Sequence, residues 1–394
     1  MTRRSIMEYA EAVRERYFRG AKKAKTEMLN EFVATTGLHR KAAIRLLNRR
    51  NRPPLRKRRG RPRLYGLEVM AALKVAWEAT DRLCSKRFHP FLPELTGILK
   101  KKGELSLTEE IETQLCRMSP STIDRILRRW RVSGLHRGLS TTKPGILLKN
   151  AIPVRTFSEW NEKQPGFLEA DLVAHCGDSA EGFYLTTLST VDVATGWCEP
   201  VAVWGKGQER VGGAIHHVRE RLPMPLLGLD SDNGSEFINH GLYDYCQRWG
   251  ITFTRARSYK KNDSCHVEQK NWVVVRRVIG YQRFSSKAAF KALDDIYTLL
   301  RLYINFFQPV LKLVGKTRHG AKVHKVYDKA QTPYQRLLRS GVLTEDKKGE
   351  LGSVYAALNP VTLLKQIREE VEHLWTLAEP PPSTSRRYYS RPSR

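Results

Sequence analysis

At 394 residues, 41% of them hydrophobic, the chain has material for two or three domains whose cores need no covalent or metal staples. Its 69 lysines and arginines against 40 acids leave a net charge of +29, and the polyanion that suits such a chain most directly is nucleic acid. The six cysteines are scattered without a Cys-x-x-Cys pair, no apolar run approaches a membrane span and no signal peptide opens the sequence, which together disfavour a disulfide framework, a zinc cage and a membrane partner.

Residues 1–52 read as a helix-turn-helix module. A helix is expected over 26–35 with Met28, Leu29, Phe32 and Val33 apolar, a turn at Gly37, and a second helix over 39–50. Ala43, Ile44 and Leu47 face inward there, leaving Arg40, Lys41, Arg45 and Arg49 outside for a major groove. Residues 53–66 form a basic linker. Its Arg59, Gly60, Arg61 and Arg63 resemble an AT-hook, whose arginines lie in a narrow A·T minor groove; a solvated linker is the alternative. Residues 67–150 hold a second candidate, over 107–131, broken at Met118-Ser119-Pro120, where Ser119 can cap and Pro120 can open the helix. Ile123, Ile126 and Leu127 are its buried face; Arg125, Arg128, Arg129 and Arg131 are its basic side.

Residues 160–285 carry three carboxylates that stand out, Asp171, Asp232 and Glu268. The run 167–175 is strand-like with Asp171 in its middle, and 183–192 and 197–204 are strands joined by Ala194-Thr195-Gly196. Residues 208–221 read as a helix with Val211, Ile215 and Val218 on one face and Pro223 beyond its end. A short strand over 226–229 precedes Asp232; a helix over 236–249, a strand over 251–254 and a helix over 264–279 follow, the last with Glu268 near its start. Spacing alone decides nothing among 40 acids, but the order β-β-β-α-β-α-β-α lets these three meet at one sheet edge. Three converging acids make an oxygen-only cage for two Mg²⁺ ions, with Mn²⁺ as a substitute, as in-line attack on a phosphodiester needs. The neighbours His216-His217 point in different directions from a helix and suit a surface better than a metal site.

Around these acids stand Thr195-Gly196-Trp197, Asp230-Ser231-Asp232-Asn233-Gly234-Ser235-Glu236-Phe237, and Lys261-Asn262-Asp263 followed by Val267-Glu268-Gln269-Lys270-Asn271. Over roughly residues 165–285 the chain resembles the catalytic region shared by retroviral integrases and DDE transposases of bacterial insertion sequences. The insertion-sequence branch fits best, since no spacing matches the retroviral His/Cys zinc module. The resemblance implies a ribonuclease-H-like core with Asp171, Asp232 and Glu268 as catalytic metal ligands, two ions per site. It also implies that Asn233 and Gly234 shape the turn holding Asp232, the glycine supplying a positive φ. Lys261 and Lys270 are candidate DNA contacts. Relatives carry Lys or Arg seven residues after the glutamate; this chain has Val275 there and Arg276 next.

Charge is segregated accordingly. Residues 167–280 hold 12 Lys+Arg against 14 Asp+Glu, a net of −2, whereas residues 1–66 hold 20 against 5, a net of +15. An acidic metal site flanked by basic DNA-gripping segments produces that pattern. Within 286–379, a helix over 290–307 should pack on the core, and 315–329 is basic, loop-like and suited to phosphate contact. A helix over 360–377 carries Leu363, Leu364, Ile367, Val371 and Leu374, either to dock on its own chain or to join protomers. The Pro-, Ser- and Arg-rich tail 380–394 reads as disordered. The expected fold class is α/β: a ribonuclease-H-like mixed-sheet core, N-terminal all-α DNA-binding modules and a mainly helical C-terminal region. The expected activity is that of a DNA transposase, a homo-oligomer on double-stranded DNA in the bacterial cytoplasm, associated with the nucleoid. A DNA-binding regulator without catalysis and a nuclease that only hydrolyses are the alternatives.

Overall fold

A computed structural model describes residues 1–49, 64–131, 163–256 and 265–380. The proposed linker contacts Arg59, Gly60, Arg61 and Arg63, the candidate Lys261 and the tail from residue 381 lie outside the described residues. The chain divides into two compact units, Met1–Leu64 and Tyr65–Arg394.

The first unit is three helices, α1 (Arg3–Arg19), α2 (Lys22–Thr36) and α3 (Arg40–Leu47), closed around Ala10, Tyr17, Leu29, Phe32, Ala43 and Leu47. Gly37 takes the left-handed conformation at φ 68° and donates its N–H to the Val33 carbonyl, ending α2 and setting the turn into α3. On α3, Ala43 and Leu47 are buried and Ile44 is partly so, while Arg40, Lys41 and Arg45 are exposed; Arg49, also exposed, lies beyond the end of α3.

In the second unit, α4 (Leu67–Ala79), α5 (Ser85–Lys101), α6 (Glu109–Cys116) and α7 (Pro120–Leu127) precede a tight 3₁₀ turn, Arg128–Trp130. Ser119 caps α7 by accepting from Thr122 N–H, and Pro120 occupies its first turn. Ile123 and Leu127 are buried, with Arg125, Arg128, Arg129 and Arg131 exposed. The helix α5 escapes sequence reading because Pro90 and Pro93 interrupt it; tertiary burial of Phe88, Phe91, Leu92, Leu95 and Leu99 holds it together.

A five-stranded sheet follows: β1 (Phe167–Ala174), β2 (Thr186–Asp192), β3 (Cys198–Val203), β4 (Gly228–Ser231) and β5 (Thr252–Arg255), in the order β3-β2-β1-β4-β5. The pairs β1–β2 and β2–β3 are antiparallel; β1–β4 and β4–β5 are parallel. Helix α8 (Gln208–Arg221) links β3 to β4, α9 (His240–Arg248) links β4 to β5, and α10 (Cys265–Lys270) follows β5. Element order and strand sense agree with a ribonuclease-H-like core at this coarse level. Two differences from expectation bear on the site. Helix α9 starts at His240, not residue 236, because the Asn239 side chain caps Leu242 N–H at 2.9 Å. The helix after β5 is not one α-helix: a π-helical turn, Asn271–Arg276, separates α10 from α11 (Arg277–Ile279).

Helix α12 (Lys287–Phe307) then packs on β3, and β6 (Leu313–His319) and β7 (Lys322–Tyr327) form a separate antiparallel hairpin where a loop was expected. Helices α13 (Pro333–Arg339), α14 (Glu345–Ala357) and α15 (Pro360–Thr376) complete the unit. Leu363, Leu364, Ile367, Val371 and Leu374 of α15 are all buried, and α15 lies along α12. That apolar face is therefore used within the chain and does not stand open to a second protomer. Among the described residues no helix is long and apolar enough to cross a membrane.

Candidate functional site

The site grows from one parallel register. Glu169 on β1 stands opposite Asp230 on β4, and Ala170 opposite Ser231; Asp232, just past the end of β4, feels the charge of Asp171. Strand alternation puts Glu169 and Asp171 on the same face. Glu169 and Asp230 are buried, Asp171 and Asp232 half-buried. The Asp171 carboxylate accepts from its neighbour Leu172 N–H at 2.8 Å and from Asn271 Nδ2 at 2.5 Å. Asp232 accepts from Gly234 N–H at 2.9 Å.

Helix α10 runs in step with this face. Val267 N–H donates to Glu169 at 2.8 Å, and Asn271, four residues on, donates to Asp171, two residues on. Four helical residues rise about 6 Å and two strand residues about 6.6 Å, so the two elements keep register. Glu169 thereby accepts N–H groups from the first turn of α10, which have no partner inside the helix. Burial, then the charges of Asp230 and Glu268, push the Glu169 carboxyl up to about 8.

The structure brings Asp171 and Asp232 within range of one another's charge. Glu268 is exposed on α10, and its charge acts on Glu169. Among the described residues no group of three or more His, Cys, Asp or Glu stands close enough to hold a metal ion. A carboxylate that sequence reasoning left in a helix, Glu236, acts on the pair through its charge, from the turn between β4 and α9. Burial, then Asp171, then Glu236 push Asp232 up to about 7, against the Gly234 hydrogen bond. Asp171 is raised by burial, with Leu172, Asn271 and the Arg276 charge opposing. Two oxygen donors of this kind suit a hard divalent cation, whose charge would relieve their repulsion.

The turn after β4 is held differently from the expectation. Asn233 donates to the Ala256 carbonyl at 2.6 Å and accepts from Arg255 at 3.1 Å, pinning the turn to the end of β5. Gly234 does not take a positive φ. A Cβ there would meet the Glu236 carboxylate at 2.6 Å, the far end of a flexible side chain that can shift. In Thr195-Gly196-Trp197, the Thr195 N–H and hydroxyl donate to Asp192 at 2.7 and 2.6 Å, and Gly196 turns at φ 78°. Trp197 is buried and donates to Glu199 at 2.8 Å. That motif builds the β2–β3 turn and takes no part in the carboxylate site.

The π-helical turn adds one residue to the helical repeat. Val275 is consequently buried, and Arg276 comes round to the face where its charge reaches Asp171 and His175. Arg276 also stacks over Tyr281 at 5.0 Å. Position seven after Glu268 is thus the buried Val275, and Arg276, at eight, is the residue whose charge reaches Asp171. Lys270 is half-buried, and its charge acts on the buried Cys198 thiol. His175, which the sequence did not single out, is buried, meets Thr187 Oγ1 at 2.7 Å, and is pushed down to about 3 by burial, then by Arg276. His216 and His217 are exposed.

No family model matches the chain. Among solved structures it is similar to the catalytic core domain of BIV integrase, at 21% identity and TM-score 0.29, covering 44% of this chain and 95% of that one. It is also similar to the simian T-cell lymphotropic virus intasome in complex with the PP2A regulatory subunit B56 gamma, at 13% identity and TM-score 0.32, covering 61% and 72%. Among curated proteins it is 43% identical over 331 residues to the uncharacterized protein y4rM of Sinorhizobium fredii, a match spanning 84% of this chain and 94% of that protein. At that identity and overlap, the chain belongs to the y4rM family.

Proposed function

We propose that the protein is a DDE-type polynucleotidyl transferase, the transposase of a bacterial insertion sequence, which exposes 3′-hydroxyls at its element's ends and joins them to target DNA. One observation carries this reading: Asp171 on β1 lies within range of the charge of Asp232, the residue just past the end of the parallel neighbour β4, and Asn271, three residues after Glu268, holds Asp171. The helix bearing the third acid is therefore docked on the pair. Asp171, Asp232 and Glu268 would hold Mg²⁺, or Mn²⁺ in its place. Such ions supply Lewis acidity, activating water or a 3′-hydroxyl and stabilising the leaving oxygen.

The chain's own residues do the positioning. Asn271 orients Asp171, Asn233 and the Gly234 N–H hold Asp232, and Arg276 favours the ionised form of Asp171. Residues 160–285 form the catalytic region in this reading. Residues 1–52 and 67–150 are DNA-binding modules, gripping phosphates through Arg40, Lys41, Arg45 and Arg49 on one side and Arg125, Arg128 and Arg129 on the other. The enzyme would work as a homo-oligomer bridging two DNA ends. The exposed position of Glu268 favours one second reading, a DNA-binding regulator without catalysis.

The test is cleavage and joining of a labelled duplex carrying the element's end, with Mg²⁺. The wild type should cut and join, while Asp232→Asn and Glu268→Gln should lose both reactions and keep DNA binding. Cutting without joining would indicate a nuclease; binding with neither reaction would favour the regulator. Full strand cleavage by Glu268→Gln would overturn the assignment of the third acid.

A further inference from the structure

The hairpin of β6 and β7 is exposed along both strands and on both faces, with Gly315 the one residue of the two strands that is half-buried. A two-stranded ribbon with no packed face is marginal on its own, yet this one is rooted firmly. Lys312 donates to the Val193 and Ala194 carbonyls of the β2–β3 turn, and its N–H donates to Asp328 at 2.8 Å. Asp328 in turn pairs with Arg336 at 2.7 Å, both half-buried or deeper. The ribbon therefore projects from the catalytic unit on a fixed base.

Its sequence, residues 313–327, contains Lys316, Arg318, Lys322 and Lys325, two histidines and no acid. The pairing sets Lys316 directly opposite Lys325 and His319 opposite Lys322. Like charges in cross-strand positions are destabilising, and no carboxylate within the ribbon relieves them. Lys316, Arg318 and Lys325 share one face, because paired residues project together and alternate residues return to the same side. The repulsion is the cost of presenting three cations on one side of a strand pair, and an anionic partner removes it.

We infer that this ribbon is a DNA-binding arm that lies in or along the major groove and contacts phosphates through Lys316, Arg318 and Lys325. The inference rests on the DNA-directed function proposed above and adds a contact surface to it. A two-stranded ribbon fits the groove, which is about 12 Å wide, and seven strand residues span about 23 Å, or roughly two-thirds of a helical turn of duplex.

The test uses the full-length chain without Mg²⁺, binding a random-sequence fluorescent duplex of about 40 base pairs by anisotropy across a salt series. The triple variant Lys316→Gln, Arg318→Gln, Lys325→Gln should flatten the log–log salt slope by about 2.7, at about 0.9 per phosphate contact. Between 50 and 200 mM salt the wild type should then lose about 40-fold more affinity than the variant. A control of equal charge change, Lys347→Gln, Lys348→Gln, Lys365→Gln, alters exposed or half-exposed lysines of α14 and α15 and should leave the slope unchanged. A wild-type slope in the ribbon variant overturns the inference and leaves the proposed catalysis standing. Equal flattening in both variants reduces the effect to net charge and also overturns it. An unchanged slope with a changed sedimentation coefficient assigns the ribbon to protein contact instead. A wild type that binds no duplex overturns both the arm and the function it serves.

Discussion

One sheet buries carboxylates in two ways. Glu199 on β3 is fully buried and meets Arg301 at 2.7 and 2.8 Å, Arg221 at 3.4 Å and Trp197 Nε1 at 2.8 Å. On and beside β1 and β4, burial bears on Glu169, Asp171, Asp232 and Glu236; Glu169 also feels Asp230 and Glu268, Asp232 feels Asp171 and Glu236, and Arg276 and Lys206 are the cations that act on Asp171 and Glu236. Desolvation penalises both sets, and among these described acids Glu199 is the one that meets it with ion pairs. A protein able to neutralise Glu199 so completely keeps its other acids in tension, as expected where a bound cation completes the charge balance. On the proposed reading, the contrast separates a carboxylate that holds the fold from carboxylates that would serve chemistry.

The sharpest way to break the comparison is Glu199→Gln. It strands two half-buried arginines and should cost about 3 kcal/mol or more, read as a lower urea midpoint. A loss below about 1 kcal/mol would mean that neutralisation is not what stabilises that edge. Next comes His175, a buried base beside Arg276 held at about 3 against an ordinary value of 6.5. A lowered folded pKa means that the unfolded state takes a proton the folded state refuses. This contribution is whole above pH 6.5 and is lost as pH falls toward 3. At pH 4.5 the wild type should have lost on the order of 2 kcal/mol through this group, and His175→Gln should not show that loss. Equal acid sensitivity of the two proteins would show His175 to be protonated in the fold. The smallest effect is at the carboxylate pair. Without Mg²⁺ at pH 8, Asp232→Asn should stabilise by about 1 kcal/mol, because it removes one of two repelling charges. A melting temperature lowered by that change would place Asp232 with Glu199, among the acids that stabilise the fold.

Much of the core was legible in advance because its strands are short, apolar and bounded by turn residues. The helix Gln208–Arg221 has the bounds its periodicity and the following Pro223 imply. The hairpin of β6 and β7 was missed because neither face is buried, so no apolar alternation marks it as strand. The helix α5 was missed because its prolines contradict local propensity and only packing overrides them. At the site, the pairing of Asp171 with Asp232 follows from motif and element order. The approach of Glu236, the N-terminal capping of α10 by Glu169 and the arrival of Arg276 do not. Each depends on a contact between segments tens of residues apart, or on one extra residue in a helical turn.

By itself the sequence determined the class of the molecule, the strand that carries Asp171, the turn that carries Asp232 and the segregation of basic from acidic segments, because periodicity, turn chemistry and charge are local properties. The tertiary structure decided which acids share a face, which are neutralised and which way α15 turns its leucines. Those outcomes depend on register between distant strands and on burial, and neither is written in any single stretch of chain.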